Sequence, residues 1–239
     1  MDERYAFLVT CEHGGNRIPA RYRDCFAGHE TLLQSHRGFD PGALSMALCI
    51  ARQLDAPLMI STISRLLVDL NRSPTHARQH AECVRQLPTA SRRQILEQYY
   101  LPFRTAAEAV IAHALAQGKP VIHLSSHSFT PELNGIVRTA DVGLLYDPAR
   151  AGEADLCREW LASLKANEPG LRVRRNYPYT GKSDGFTAYL RRRFSADEYV
   201  GIELDINQGS IPAGGQAWRR RRTLVSESLR QALDRSAYG

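Results

Sequence analysis

The chain has 239 residues, 43% of them hydrophobic and 23% charged, with a formal net charge of +6. Single cores stop growing only beyond about 250–300 residues, so one domain spanning residues 1–239 is expected. No stretch approaches the roughly 18 apolar residues of a membrane-crossing helix, which argues against a membrane partner.

The start, Met1-Asp2-Glu3-Arg4, carries both signs of charge and leads straight into an apolar run at residues 5–11. That is too short and wrongly flanked for a secretory leader, so a cytoplasmic protein is expected. Residues 5–11 read as a buried strand, and residues 41–54 as a helix opened by Pro41, with Leu44, Ala47, Leu48, Ala51 and Leu54 on one face. Strands are predicted at 58–63 and 66–70. A long helix follows from Ser91 to Gln117, since Ile95, Tyr99, Phe103, Ala107, Val110 and Ala114 form one apolar stripe, and Gly118 ends it. Then come strands at 120–125 and 142–146, a helix at 153–166, a strand at 199–206 and a last helix at 216–233. Short apolar runs alternating with helical ones indicate an α/β fold around a largely parallel sheet. Cys11, Cys25, Cys49, Cys83 and Cys157 are odd in number and contain no C-x-x-C pair, so they point to neither a disulfide framework nor a thiolate zinc cluster.

Four segments carry chemistry. Cys11-Glu12-His13-Gly14-Gly15-Asn16-Arg17-Ile18-Pro19 follows the first strand, and ligands of open α/β sheets bind beyond the carboxyl ends of strands. His13 there is either a metal or substrate ligand or a local cap on a glycine turn. His127, in Ser126-His127-Ser128-Phe129-Thr130-Pro131, falls just past the predicted strand 120–125 and can meet His13 if the two strands are neighbours. Two imidazoles from separate strand ends plus a third donor leave an open position on zinc. His123, inside the strand run, reads as a core or supporting histidine. Gly201-Ile202-Glu203-Leu204-Asp205 puts two carboxylates on one face of an apolar strand. Burying them is costly without a cation or metal, and a general base and an ion pair with a buried arginine are both open readings. Asn71-Arg72 ends an apolar run, and the planar guanidinium fork suits a substrate carboxylate, with a surface salt bridge as the bland alternative.

In this order, C-E-H-G-G-N-R-I-P, H-R-G-F-D-P-G-A, S-R-L-L-V-D-L-N-R-S, S-H-S-F-T-P and G-I-E-L-D-I-N-Q resemble the N-formylglutamate amidohydrolase family over nearly the whole chain. The resemblance implies an α/β, three-layer, zinc-carboxypeptidase-like fold: a mostly parallel mixed sheet with helices on both faces and one catalytic zinc, or cobalt or another divalent ion. It implies that His13 and His127 are metal ligands, Glu203 the catalytic glutamate, and Asn71 and Arg72 the pair that holds a substrate carboxylate. Zinc carboxypeptidases carry glutamate three residues after the first ligand histidine, where this chain has Asn16. Asn16 is therefore expected as middle ligand, ahead of Asp40 and Glu12. Arg138 is expected either to polarise the scissile carbonyl or to bind substrate, and Tyr179 to sit over it as a hydrogen-bond donor. The implied activity is hydrolysis of an N-acyl amino acid such as N-formyl-L-glutamate by a monomer or small homo-oligomer with a small anionic substrate.

Rival readings are a family member that has lost catalysis and kept a binding role, an amidase on another carboxylate-bearing amide, and a nucleic-acid binder using Arg191-Arg192-Arg193 and Arg219-Arg220-Arg221-Arg222. Consecutive arginines on helices spread around the surface, and no aromatic platform accompanies them, so no nucleic-acid partner is expected.

Overall fold

The computed structural model describes residues 4–211 and 215–236; the mixed-charge start at residues 1–3 lies outside the described residues. In chain order the main elements are β1 (Ala6–Cys11), α1 (Ala43–Leu54), β2 (Leu58–Ile60), α2 (Leu101–Ala116), β3 (Val121–Phe129), a hairpin of β4 (Glu132–Leu133) and β5 (Ile136–Val137), β6 (Val142–Leu145), α3 (Ala151–Asn167), β7 (Val173–Arg175), α4 (Phe186–Arg191), β8 (Tyr199–Asn207) and α5 (Gln216–Arg235). Six strands form one sheet in the order β2-β1-β3-β8-β6-β7. β2, β1, β3 and β8 run parallel, β6 runs against β8, and β7 is parallel to β6. This is the largely parallel sheet expected from the alternating pattern, mixed as the family resemblance implies, and helices cover both faces. No helix among the described residues is long and apolar enough to cross a membrane.

Strand period sorts the chemistry onto one face. Val9, Cys11, Ile122, Leu124, Ile202, Leu204, Ile206, Val142 and Leu144 point to the side where α1, α3 and α5 supply Met46, Ile50, Trp160, Leu164, Val225 and Leu229, a predominantly apolar layer. The opposite side is divided. At the start of the strands Leu8, Val121 and Tyr199 pack on Ala107, Ile111, Phe186 and Leu190 of α2 and α4. Further along, the same face carries Thr10, Ser125, His127, Glu203 and Asp205, all buried. A third cluster, with Ile18, Tyr22, Phe26, Leu67, Leu70, Ile95 and Tyr100, packs the connection after β2 against the segment that follows β1 and the helical stretch before α2.

The differences from expectation have physical causes. β3 continues to Phe129 because its pairing with β8 persists from Val121↔Tyr199 to Phe129↔Asn207, so His127 lies within the strand, not beyond it. Residues 66–70 form turns instead of a strand: they are as buried as a strand, but their amides go to Ser64 O and Gln79 O rather than to a neighbouring ladder. The long helix is broken by a π-helical turn at Leu96–Tyr100 between Thr89–Ile95 and α2. A π turn rotates the following residues around the axis, so the buried stripe passes from Ile95 to Tyr100, Arg104, Ala107 and Ile111. Ser91 sits inside the helix, which starts after Pro88. β7 and α4 were not anticipated from the pattern; both are short, and a 3-residue strand carries almost no periodicity.

Gly143 on β6 shows how the loop over the site is accommodated. A methyl group there would lie 2.1 Å from Tyr177 O, so only glycine lets the loop carrying Tyr179 cross the sheet at this distance.

The arginine clusters are largely engaged within the fold. Arg191 pairs with buried Glu153 at 2.9 Å and donates to Gly201 O, Arg193 pairs with Glu108, Arg221 with Glu168, and Arg222 donates to Ser45 O.

Candidate metal centre and substrate cavity

His13 leaves the end of β1, and the backbone amide of Asp40 donates to His13 O at 2.9 Å, fixing Asp40 beside it at the entry to α1. His127 reaches the same point from β3. The two imidazole rings lie 5.1 Å apart, centroid to centroid. Both turn Nδ1 onto one oxygen, Asp40 Oδ2, at 3.4 Å from His13 and 2.9 Å from His127. Both turn Nε2 onto a second carboxylate: Asp69 Oδ1 at 2.8 Å from His13, and Glu12 Oε2 at 3.2 Å from His127, which also meets Ser125 Oγ at 2.9 Å. Arg65 bridges the pair, donating to Asp40 Oδ1 at 3.1 Å and to Asp69 Oδ2 at 2.8 Å.

This arrangement fits a divalent cation. One ligand atom each from His13, Asp40 and His127 falls within 4.8 Å of the others, and all three residues are buried. A histidine that ligates metal through one nitrogen generally donates its other N–H to a carboxylate or carbonyl; here Asp69 and Glu12 stand in that position. Glu12, Asp40 and Asp69 are all buried, and Arg65 pairs with only the two aspartates, a surplus of negative charge that a metal would neutralise. Burial alone would raise these carboxyls. For Asp40 the charge of His13 and hydrogen bonds from both imidazoles outweigh it and hold the group well below the usual range. Asp69 is likewise carried down by Arg65 and His13, and Glu12 falls to about 2 through its bond to His127. Burial would lower His127, but bonds to Asp40 and Glu12 hold it well above its ordinary value.

Asn16, expected as the middle ligand, is turned elsewhere. Its amide donates to Leu33 O at 3.0 Å, and it does not line the cavity. The cause is local: Gly14 N bonds Ser61 O, Arg17 N bonds Thr62 O, and Arg17 pairs with Ile63. After the turn at Glu12 and His13 these bonds tie residues 14–17 to 61–63 and carry Asn16 away from the cavity. Asp40, from a different segment, takes the place between the histidines.

A cavity of about 950 Å³ opens beside this cluster, lined by His13, Asp40 and His127 together with Asn71, Arg72, Arg138, Tyr179, Glu203 and Asp205. Glu203 is 9% exposed and accepts a hydrogen bond from Thr187 Oγ1 on Oε1. Gly185 lies against it; a methyl group there would come 3.2 Å from Glu203 Oε1 and 3.1 Å from Asn71 Oδ1. Asn71 is held by Phe186 N on Oδ1, with Nδ2 at 3.3 Å from His127 Nε2. Arg72 donates through Nη1 to Asp184 O. Arg138 donates to Tyr179 Oη at 3.0 Å and to Thr130 Oγ1 at 3.4 Å. The residues anticipated from sequence, apart from Asn16, thus line one cavity.

Sequence reasoning passed over Asp69, Arg65, Ser125, Thr187 and Arg104. Arg104 is 4% exposed on the stripe shifted by the π turn. Its guanidinium lies over Tyr100, Phe186 and Tyr189, 4.6 to 4.9 Å from the ring centroids, and Nη2 donates to Leu70 O and Arg72 O at 3.0 Å. It therefore clamps the backbone on both sides of Asn71. Replacing Arg104 by Lys keeps the charge but loses the fork. The expected result is a loss of about 1–3 kcal/mol in stability, read by urea denaturation, and a higher KM for carboxylate substrates with kcat little changed.

His123, fully buried, donates from Nε2 to Thr10 Oγ1 because Thr10 in turn donates to Glu12 Oε1, and so accepts from Tyr199 Oη on Nδ1. Burial lowers it to about 4, which keeps it neutral as a support of Glu12.

Residues 5–211 match the family described as N-formylglutamate amidohydrolase. Among solved structures, a gene product of Agrobacterium tumefaciens superposes with a TM-score of 0.83 at 29% identity, covering 97% of this chain and 92% of that one. The N-formylglutamate amidohydrolase from Ralstonia eutropha superposes with a TM-score of 0.66 at 19% identity, covering 96% and 94%. No curated protein matches the chain in sequence. With the family match extending over most of its length, the chain belongs to the N-formylglutamate amidohydrolase family.

Proposed function

We propose that the protein is a metal-dependent amidohydrolase that splits an N-acyl amino acid, with N-formyl-L-glutamate the first substrate to assay, into formate and the amino acid. The observation that carries this reading is the convergence of both imidazole Nδ1 atoms on Asp40 Oδ2 in a cavity that also holds Glu203. His13, Asp40 and His127 would hold the metal, zinc by preference and cobalt as an alternative. A divalent ion there supplies Lewis acidity, polarising an amide carbonyl and lowering the pKa of a water towards about 7.

The remaining work falls to the chain. Glu203 takes the proton from the attacking water and passes it to the departing nitrogen. Thr187 holds Oε1 of Glu203, so the carboxylate keeps one orientation while the proton moves. Arg138 donates to the oxygen on which negative charge develops, and Tyr179, hydrogen-bonded to it, closes the substrate from above. Arg72 and Asn71 receive a substrate carboxylate, which discriminates against neutral amides.

The test is formate release from N-formyl-L-glutamate, N-formyl-L-aspartate and N-formyl-L-leucine by protein stripped of metal and then given zinc or cobalt. Release that needs the metal and favours the acidic substrates is expected. No release from any of them by metal-loaded protein would refute the reading.

A further inference from the structure

Asp205 is the buried carboxylate for which the steps above have no use. It is 4% exposed, faces the cavity, and in the sheet stands beside His127 of β3 and Gly143 of β6. The other acids around the centre are all satisfied: Asp40 by both histidines, Arg65 and Ser128 N, Asp69 by His13 and Arg65, Glu12 by Thr10 and Ser125, Glu203 by Thr187. Among the described residues Asp205 alone of this group accepts no hydrogen bond on its side chain, although it lies near His127, Asp40, Glu203 and Arg65. Nor does it belong to the three residues that gather as possible metal ligands. Its neighbour Gly143 has no side chain to cover it; a methyl group there would lie 3.5 Å from Asp205 Cβ.

A carboxylate this deeply set, met by no protein donor and open only to the cavity, is uncommon in folded proteins and costly unless something in the cavity pairs with it. In its ionised form the carboxylate only accepts, so a partner for that form brings N–H or O–H. The same cavity has cationic donors, Arg72 and Arg138, for carboxylates. A ligand bearing both kinds of group would be oriented by the two ends.

We propose that Asp205 receives the nitrogen of the amino-acid half, accepting from the amide N–H of bound substrate and then from the ammonium group of the product. This rests on the N-acyl amino acid reading above and deepens it: the cavity selects α-amino acids by their nitrogen as well as by their carboxylates. Dicarboxylic acids without the amino group would meet an unpaired carboxylate of like charge.

The test is calorimetric binding of L-glutamate and of glutarate, which differ only in the amino group, to the zinc-loaded protein and to Asp205→Asn. The expected result is a glutamate-to-glutarate preference that falls by about 10-fold or more in the variant, the loss of one charge-assisted hydrogen bond. Most of the change should come from weaker glutamate binding. An unchanged ratio would overturn the role of Asp205 and leave the substrate reading standing. Failure of both ligands to bind the wild type would instead overturn the substrate reading and this inference with it. If Asp205→Asn does not fold, judged by its melting curve, Asp205→Ala provides the same comparison.

Discussion

Replacing Glu203 by glutamine is expected to lower turnover by a factor on the order of 10² to 10⁴ while leaving metal content and product binding close to wild type. Glutamine has the same shape and can keep the bond from Thr187 Oγ1, because its amide oxygen accepts as the carboxylate Oε1 does. It cannot take up a proton. The loss therefore falls on the step in which water is activated and the nitrogen protonated, at least about 2.7 kcal/mol of barrier for a 10²-fold change. Single-turnover formate release, metal analysis and a melting curve on the same preparation separate this from misfolding. Near-normal turnover would remove Glu203 from the role, and Asp205 would become the next carboxylate to examine. A variant that lost its metal would place Glu203 among the groups that hold the ion, a different chemistry from the one proposed.

Much of this architecture could be read from residues 5–11, 41–54, 142–146 and 199–206, where apolar periodicity is strong and each segment came out within a few residues of its prediction. Periodicity failed where burial and ladder pairing part company. Apart from Asp69, residues 66–70 are apolar, and all are buried, but their backbone closes turns, and a run of leucines and valines does not tell the two apart. The long helix was legible and its internal π turn was not, because one extra residue in a turn leaves composition untouched while rotating Arg104 into the core.

The site was legible to the extent that it lies at strand ends. His13, His127 and Glu203 each stand on or beside a predicted strand, and strands β1, β3 and β8 are neighbours. Residues that arrive from connections were harder to see. Asp69 and Arg65 belong to the turn segment, and their pairing with His13 and Asp40 depends on how that segment folds back over the sheet. Asp40 sits at the mouth of α1, tethered through its backbone to His13 O. Only the sheet order brings that mouth next to His127.

The choice between Asp40 and Asn16 as the third ligand has a measurable consequence of the same size as the loss of the base. Asp40→Ala is expected to weaken metal binding by well over the 10–100-fold that removal of a supporting residue produces, since Asp40 Oδ2 is the atom on which both imidazoles converge. Asn16→Ala should leave metal affinity unchanged, because that side chain bonds Leu33 O away from the cavity. Glu12→Gln gives the intermediate case: it weakens the carboxylate behind His127 without removing a ligand atom, and a 10–100-fold loss is expected. Zinc affinity measured by competition with a chromophoric chelator ranks the three variants without reference to any substrate. Were Asn16→Ala to lose metal and Asp40→Ala to keep it, the centre would have to be assembled from the turn after β1, and the Asp40 carboxylate would be left as an ion-pair partner for Arg65 alone.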